Sequence, residues 1–239
     1  MKIEILADAG EVAAAAAAEI LAAMAARPRL VLGVATGRTM EPLYARLARS
    51  ASEGADWSGV EIFALDEYVG LAPGHPGSFR SYLEQRLADP LRIAPERLHV
   101  PDGASIDPAE EACRYEARIQ AAGGIDLQLL GLGRNGHIAF NEPGSPLDSR
   151  TRVVRLARST REDGRATLPQ RMEPPRAGIT MGIGTILEAR RLLLLATGPA
   201  KEPAARATRF GPVSADCPAS VLRLHPDATL VLDRAAAGP

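Results

Sequence analysis

Cysteine is scarce in this chain: of 239 residues only Cys113 and Cys217 are cysteines, far apart and without a C-x-x-C spacing. That excludes a disulfide framework or a cysteine-rich metal site and fits a reducing compartment, so a cytoplasmic location is expected. An excess of either charge is also missing, since 28 Lys and Arg face 29 Asp and Glu for a net charge of −1. Nothing in that balance calls for a nucleic-acid or anionic-membrane partner, and any phosphate recognition must be local. The start, Met1-Lys-Ile-Glu-Ile-Leu6, is too short and too charged for a signal peptide, and no membrane span is expected. The Ala-rich stretch Val12–Ala26 reads instead as a helix of strong propensity, with Asp8 and Glu11 at capping-box spacing and Pro28 at its exit. No two histidines have metal-ligand spacing, so no metal is expected. A Walker A loop and a G-x-G-x-x-G fingerprint are both absent, as are internal repeats and an interdomain linker.

What the chain does have is a hydrophobic content of 46%, enough for a proper core. Apolar runs recur at Leu30–Ala35, Glu61–Leu65, Asp126–Leu132, Ile179–Ile183, Leu192–Thr197 and Thr229–Asp233. Most are separated by helix-length segments, among them Glu41–Ser50, Phe79–Ala88, Pro108–Ala121 and Pro199–Thr208. The alternation predicts an α/β fold, a Rossmann-like doubly wound and mostly parallel sheet flanked by helices, in one domain spanning residues 1–239. Pro143, Gly144, Pro146, Pro169, Pro174 and Pro175 break the rhythm, so residues 144–175 are expected to form a long cover loop over the site with one short helix.

Four places combine strand ends with chemistry. Ala35-Thr-Gly-Arg-Thr-Met40 follows a strand and precedes a helix, where backbone N–H groups, the Thr36 and Thr39 hydroxyls and the helix dipole make an anion pocket, although an ordinary strand–helix turn reads the same way. In Phe63-Ala-Leu-Asp-Glu-Tyr-Val-Gly70 the adjacent acids Asp66 and Glu67 point in different directions, so one can enter a cleft while the other is structural. A desolvated acid there can act as a general base; a helix cap or surface turn is the commoner use. Gly131-Leu-Gly-Arg-Asn-Gly-His-Ile-Ala-Phe-Asn-Glu-Pro143 delivers His137 at the carboxyl end of a buried strand, where open α/β sheets bind ligands. Its imidazole exchanges protons near neutral pH, with Asn135 or Glu142 available to orient it. His75, His99 and His225 read as loop or packing residues. Gly198-Pro-Ala-Lys201 brings a cation to the same edge, a candidate phosphate clamp.

Taken together with Leu65-Asp-Glu-Tyr-Val-Gly-Leu71, His75-Pro-Gly-Ser78, Ile179-Thr-Met-Gly-Ile-Gly-Thr185 and Pro218-Ala-Ser-Val-Leu-Arg-Leu-His-Pro226, these motifs resemble the glucosamine-6-phosphate deaminase family, part of a larger group that also holds the 6-phosphogluconolactonases. The resemblance runs along nearly the whole chain. It implies conversion of the sugar phosphate D-glucosamine 6-phosphate to D-fructose 6-phosphate and ammonia, with no organic cofactor and no metal. It also implies that Asp66 moves a proton between C2 and C1 and that His137 opens the pyranose ring, supported by Glu142 and Asn135. Thr36, Gly37, Arg38, Thr39 and Lys201 are implied as the phosphate site. Asn135 stands where many members have Asp, so Glu142 is expected to be the charge partner of His137. Arg38 and Met40 replace a small residue and Pro. In the cover segment Arg165 is the expected lid contact to phosphate, with Arg161 the alternative. Val154 stands where regulated members carry Lys, and the chain stops soon after its last strand, so a monomer or small homo-oligomer without effector activation is expected. A lactonase and a non-catalytic sugar-phosphate sensor are the alternatives; the sensor would more naturally lack Asp66 or His137.

Overall fold

A computed structural model describes residues 1–165, 168–169 and 172–238. In chain order the elements are β1 (Lys2–Leu6), α1 (Ala9–Ala26), β2 (Val31–Val34), α2 (Glu41–Ser52), β3 (Glu61–Ala64), β4 (Asp66–Tyr68) and α3 (Phe79–Leu83). A π-helical turn, Glu84–Ala88, carries α3 into α4 (Asp89–Leu91), followed by β5 (Leu98–His99), α5 (Pro108–Ala121) and β6 (Leu127–Gly131). Then come β7 (Arg152–Arg155), α6 (Arg158–Gly164), β8 (Ala177–Thr180), α7 (Ile183–Leu187), β9 (Leu192–Ala196), α8 (Glu202–Phe210), β10 (Ala228–Asp233) and α9 (Arg234–Ala237).

Seven strands form one sheet in the order β1-β10-β9-β6-β2-β3-β5, every neighbouring pair parallel. Leu32, Leu129, Leu193, Leu194 and Leu230 are fully buried in it, as expected of strands covered on both faces. From β2 the chain moves outward through β3 to β5, then returns to place β6 on the other side of β2. The order therefore reverses between β2 and β6, and loops leaving those two strands diverge to open a crevice at their carboxyl ends. Helix α1 begins as its capping box predicts: Asp8 accepts from the N–H groups of Gly10 and Glu11, while Glu11 reaches back to the Ala7 N–H. By length and composition α1 is apolar enough to cross a bilayer, and its stripe Val12, Ala13, Ala16, Ala17 and Ile20 is buried, with β10 and α2 among the elements α1 contacts.

One expected strand lies elsewhere. The run Ile179–Ile183 does not join the parallel sheet: β8 pairs antiparallel with β4 and β7 in a second, three-stranded sheet, and Ile183 already opens α7. The small sheet has its own apolar cluster of Tyr68, Leu71, Phe140, Leu156 and Leu168, and Ile179 of β8 is fully buried. The stretch expected as loop also contributes β7, whose Arg-Val-Val-Arg sequence is only half-buried and carries a weak strand signal. Its one expected helix is α6; Ala166, Thr167, Gln170 and Arg171 in this stretch lie outside the described residues.

Candidate active site

At the β2/β6 reversal lies a cleft of about 660 Å³, lined by Thr36, Gly37, Arg38 and Thr39 on one side and by Gly131–Arg134 and His137 on the other, with Asp66 and Lys201 also on its wall. The first loop turns tightly because Gly37 adopts φ 109°, a conformation L side chains rarely take, and the Met40 N–H donates to the Gly37 carbonyl at 2.9 Å. Two tyrosines hold its backbone: the Tyr44 hydroxyl donates to the Ala35 carbonyl, and the Tyr82 hydroxyl to that of Gly37 at 3.2 Å. Met40 is fully buried, so the residue replacing the family's Pro serves the core, while Arg38 is exposed at the rim.

Asp66 and Glu67 divide as adjacent strand residues must. Glu67 points away from the cleft and accepts the N–H groups of Tyr68, Phe79 and Arg80 at 2.8, 2.9 and 2.9 Å, anchoring the start of α3. Asp66 faces the cleft, is only 6% exposed, and its carboxylate has no hydrogen-bond partner among the described residues. Burial, reinforced by the nearby Glu67, raises its pKa well above the ordinary carboxylate range. A carboxylate in that condition is a stronger base than one in water.

Gly133 leaves room for the His137 ring, since a Cβ there would lie 2.3 Å from Nδ1. His137 Nδ1 sits 2.7 Å from Asn135 Oδ1, and Asn135 Nδ2 donates to Glu142 Oε2 at 2.8 Å. Glu142 Oε2 is 3.7 Å from Nδ1, and its other oxygen accepts from the Thr160 hydroxyl. Glu142 thus stands within ion-pair distance of His137, as expected of its charge partner, while the direct hydrogen bond of the ring goes to Asn135. Because the amide spends its N–H on Glu142, its oxygen must accept, so neutral His137 carries the proton on Nδ1 and leaves Nε2 as the nitrogen available to a ligand. Burial lowers the His137 pKa, with Lys201 adding to the effect and Glu142 opposing it. Asn141, missed in the sequence, pins the loop by donating to the carbonyls of Ile138 and Met181.

Lys201 lines the cleft with its pKa lowered, chiefly by burial and further by Arg134 and Arg38. Arg165 does not line it. It caps the exposed end of α6 and pairs with Glu173 at 3.3 Å on the surface. The cations that do line the cleft besides Arg38 and Lys201 are Arg86, on the π-helical turn, and Arg134, paired with Asp163 of α6. Neither was singled out from sequence: Arg134 sits inside the recognised Gly-rich motif, whereas Arg86 looks like any charge on an amphipathic helix.

Comparison with known proteins agrees with this geometry. The sequence profile of the glucosamine-6-phosphate isomerases/6-phosphogluconolactonase family matches residues 7–231. A glucosamine-6-phosphate deaminase of Shewanella loihica is 51% identical over 238 residues, covering 99% of this chain and 89% of that protein. One from an Arthrobacter species is 47% identical, covering 99% and 92%. The solved structure of a monomeric glucosamine-6-phosphate deaminase superposes with a TM-score of 0.96 at 39% identity, over 99% of both chains. A 6-phosphogluconolactonase of Trypanosoma cruzi shares the fold, with a TM-score of 0.81 at 22% identity over 99% of this chain and 95% of its own. The chain belongs to the family of glucosamine-6-phosphate isomerases and 6-phosphogluconolactonases.

Proposed function

We propose that this protein is an enzyme converting D-glucosamine 6-phosphate and water to D-fructose 6-phosphate and ammonia. The observation that carries the reading is the meeting, in one cleft, of a buried carboxylate (Asp66) and an imidazole Nε2 (His137), neither hydrogen-bonded among the described residues, with an anion-binding turn (Thr36–Thr39) beside Lys201. The relatives named as deaminases, matched along 99% of the chain, support it over the lactonase alternative.

In this mechanism Thr36, Gly37, Arg38, Thr39 and Lys201 hold the phosphate and so fix the sugar's reach into the cleft. His137 Nε2 takes the anomeric hydroxyl proton and returns one to the ring oxygen, which breaks the C1–O5 bond and opens the pyranose. Asp66 then removes the C2 proton; the C–H electrons become a C1=C2 double bond as the C1 oxygen takes the proton that His137 relays from the substrate's ammonium group, which becomes a neutral amine. The enolamine so formed collects the Asp66 proton at C1 while the nitrogen lone pair closes a C2=N bond. Water adds to that carbon, and ammonia leaves. Asn135 and Glu142 keep Nδ1 engaged so that Nε2 faces the substrate.

The reading includes a cytoplasmic monomer, supported by two free cysteines and by the monomeric deaminase of the same fold at 39% identity. It also makes residues 144–175 a cover, supported by Thr160, Asp163 and Gly164 on the cleft wall. A coupled assay for ammonia and fructose 6-phosphate, run over a panel of hexosamine 6-phosphates and 6-phosphogluconolactone, tests it. Ammonia from glucosamine 6-phosphate is expected; opening of the lactone with no ammonia from any amino sugar would overturn it.

A further inference from the structure

Cations converge on this cleft without enough anions to neutralise them. Arg38, Arg86, Arg134 and Lys201 line it against Asp66 and Asp163. Asp163 is occupied by Arg134, whose Nε donates to it at 3.1 Å and whose Nη2 makes a second contact. Arg86 is left with no ion pair or hydrogen bond among the described residues. Like charges gathered in a partly desolvated cleft repel one another until an anion sits between them.

The backbone directs Arg86 there. Glu67 fixes the start of α3, and the helix then loosens into the π-helical turn Glu84–Ala88, a feature frequent at functional sites. Leu83 and Leu87 enter the core from this segment, while Tyr82, Gln85 and Arg86, spaced i, i+3 and i+4, share the face that lines the cleft. The Tyr82 hydroxyl reaches the Gly37 carbonyl, so this face abuts the anion-binding turn.

We propose that Arg86 is a specificity-determining residue that grips the substrate's phosphate from the π-helical turn. The proposal rests on the deaminase reading for its substrate, though its ligand chemistry is that of any phosphate monoester. A guanidinium presents two parallel N–H donors to phosphate oxygens, a match an ammonium cannot reproduce.

The test uses the full chain as wild type, Arg86→Ala, Arg86→Lys and Arg165→Ala, with steady-state kinetics on glucosamine 6-phosphate and calorimetric titration with inorganic phosphate. Arg86→Ala is expected to raise KM about 10- to 100-fold, the scale of a lost charge-assisted contact, with kcat within about three-fold. Phosphate affinity should fall in parallel, and Arg86→Lys should recover part of both. Arg86 is exposed, so an unchanged melting temperature is expected of each variant. An unchanged KM and phosphate affinity in Arg86→Ala, or the loss appearing in Arg165→Ala instead, would overturn the proposal. If the wild type makes no ammonia, the deaminase reading fails, and the phosphate titration still decides the role of Arg86.

Discussion

Burial of Asp66 without a hydrogen-bonding partner among the described residues suits it to the base's role in the proposed mechanism and also burdens the fold. Its pKa is raised in the folded state, so between the ordinary carboxylate range and that raised value the folded chain holds a proton the unfolded chain has released. Stability then falls as pH rises through this interval. Asp66→Asn is expected to lower turnover by about 10²-fold or more while raising the melting temperature at neutral pH and flattening its pH dependence. Circular-dichroism melts at several pH values check the second effect independently of activity. For His137 the lowered pKa keeps the imidazole neutral into mildly acidic solution, and activity should decline only as pH falls through that lowered value. Asn135→Asp puts a carboxylate 2.7 Å from Nδ1, which favours the imidazolium and should move the acid limb of the kcat/KM profile upward by about one unit. An unmoved limb would show that another group sets it. That one of the two adjacent acids faces the cleft was legible from strand alternation. Which one it is required knowing that α3 begins where Glu67 can collect its N–H groups.

At the scale of elements the anchoring of α3 is the feature with most consequence. Glu67→Gln places an amide N–H₂ where a carboxylate oxygen accepts from backbone donors and should cost about 1–3 kcal/mol in a denaturant titration. The same isosteric change at Asp66 is expected to do the opposite. Because α3 leads directly into the turn that carries Tyr82 and Arg86, Glu67→Gln should also raise KM. Long elements with one dominant signal, such as α1 with its capping box or the Leu-rich β9, were readable in the sequence. The short strands were less so: β8 was readable as a strand but not its sheet, and β4 and β7 join it over a small separate core around Tyr68 and Phe140 that nothing in Arg152–Arg155 announces. Arg86 was hidden for a related reason, since it reaches the cleft only through the π-helical turn, which has no sequence signature.

For the molecule as a whole, alternation of apolar runs with helical segments was enough to foresee a parallel sheet, and motifs at strand ends were enough to foresee one crevice. The position of that crevice follows from the order β9-β6-β2-β3, which no local pattern encodes. Val154 packs against the small core beside Leu156 and is apolar, so β7 offers no donor there to an effector phosphate. Sedimentation should find a monomer, and substrate curves should be hyperbolic with or without N-acetylglucosamine 6-phosphate; a sigmoidal curve that the acetylated sugar straightens would disprove this.

If Asp66 performs the proton transfer that ends in deamination, the stoichiometry of ammonia and fructose 6-phosphate released from glucosamine 6-phosphate by wild type and by Asp66→Asn reads it directly. Equal amounts of both products from the wild type are expected, with both rates falling together by about 10²-fold or more in the variant. Ammonia released by Asp66→Asn at the wild-type rate would contradict it.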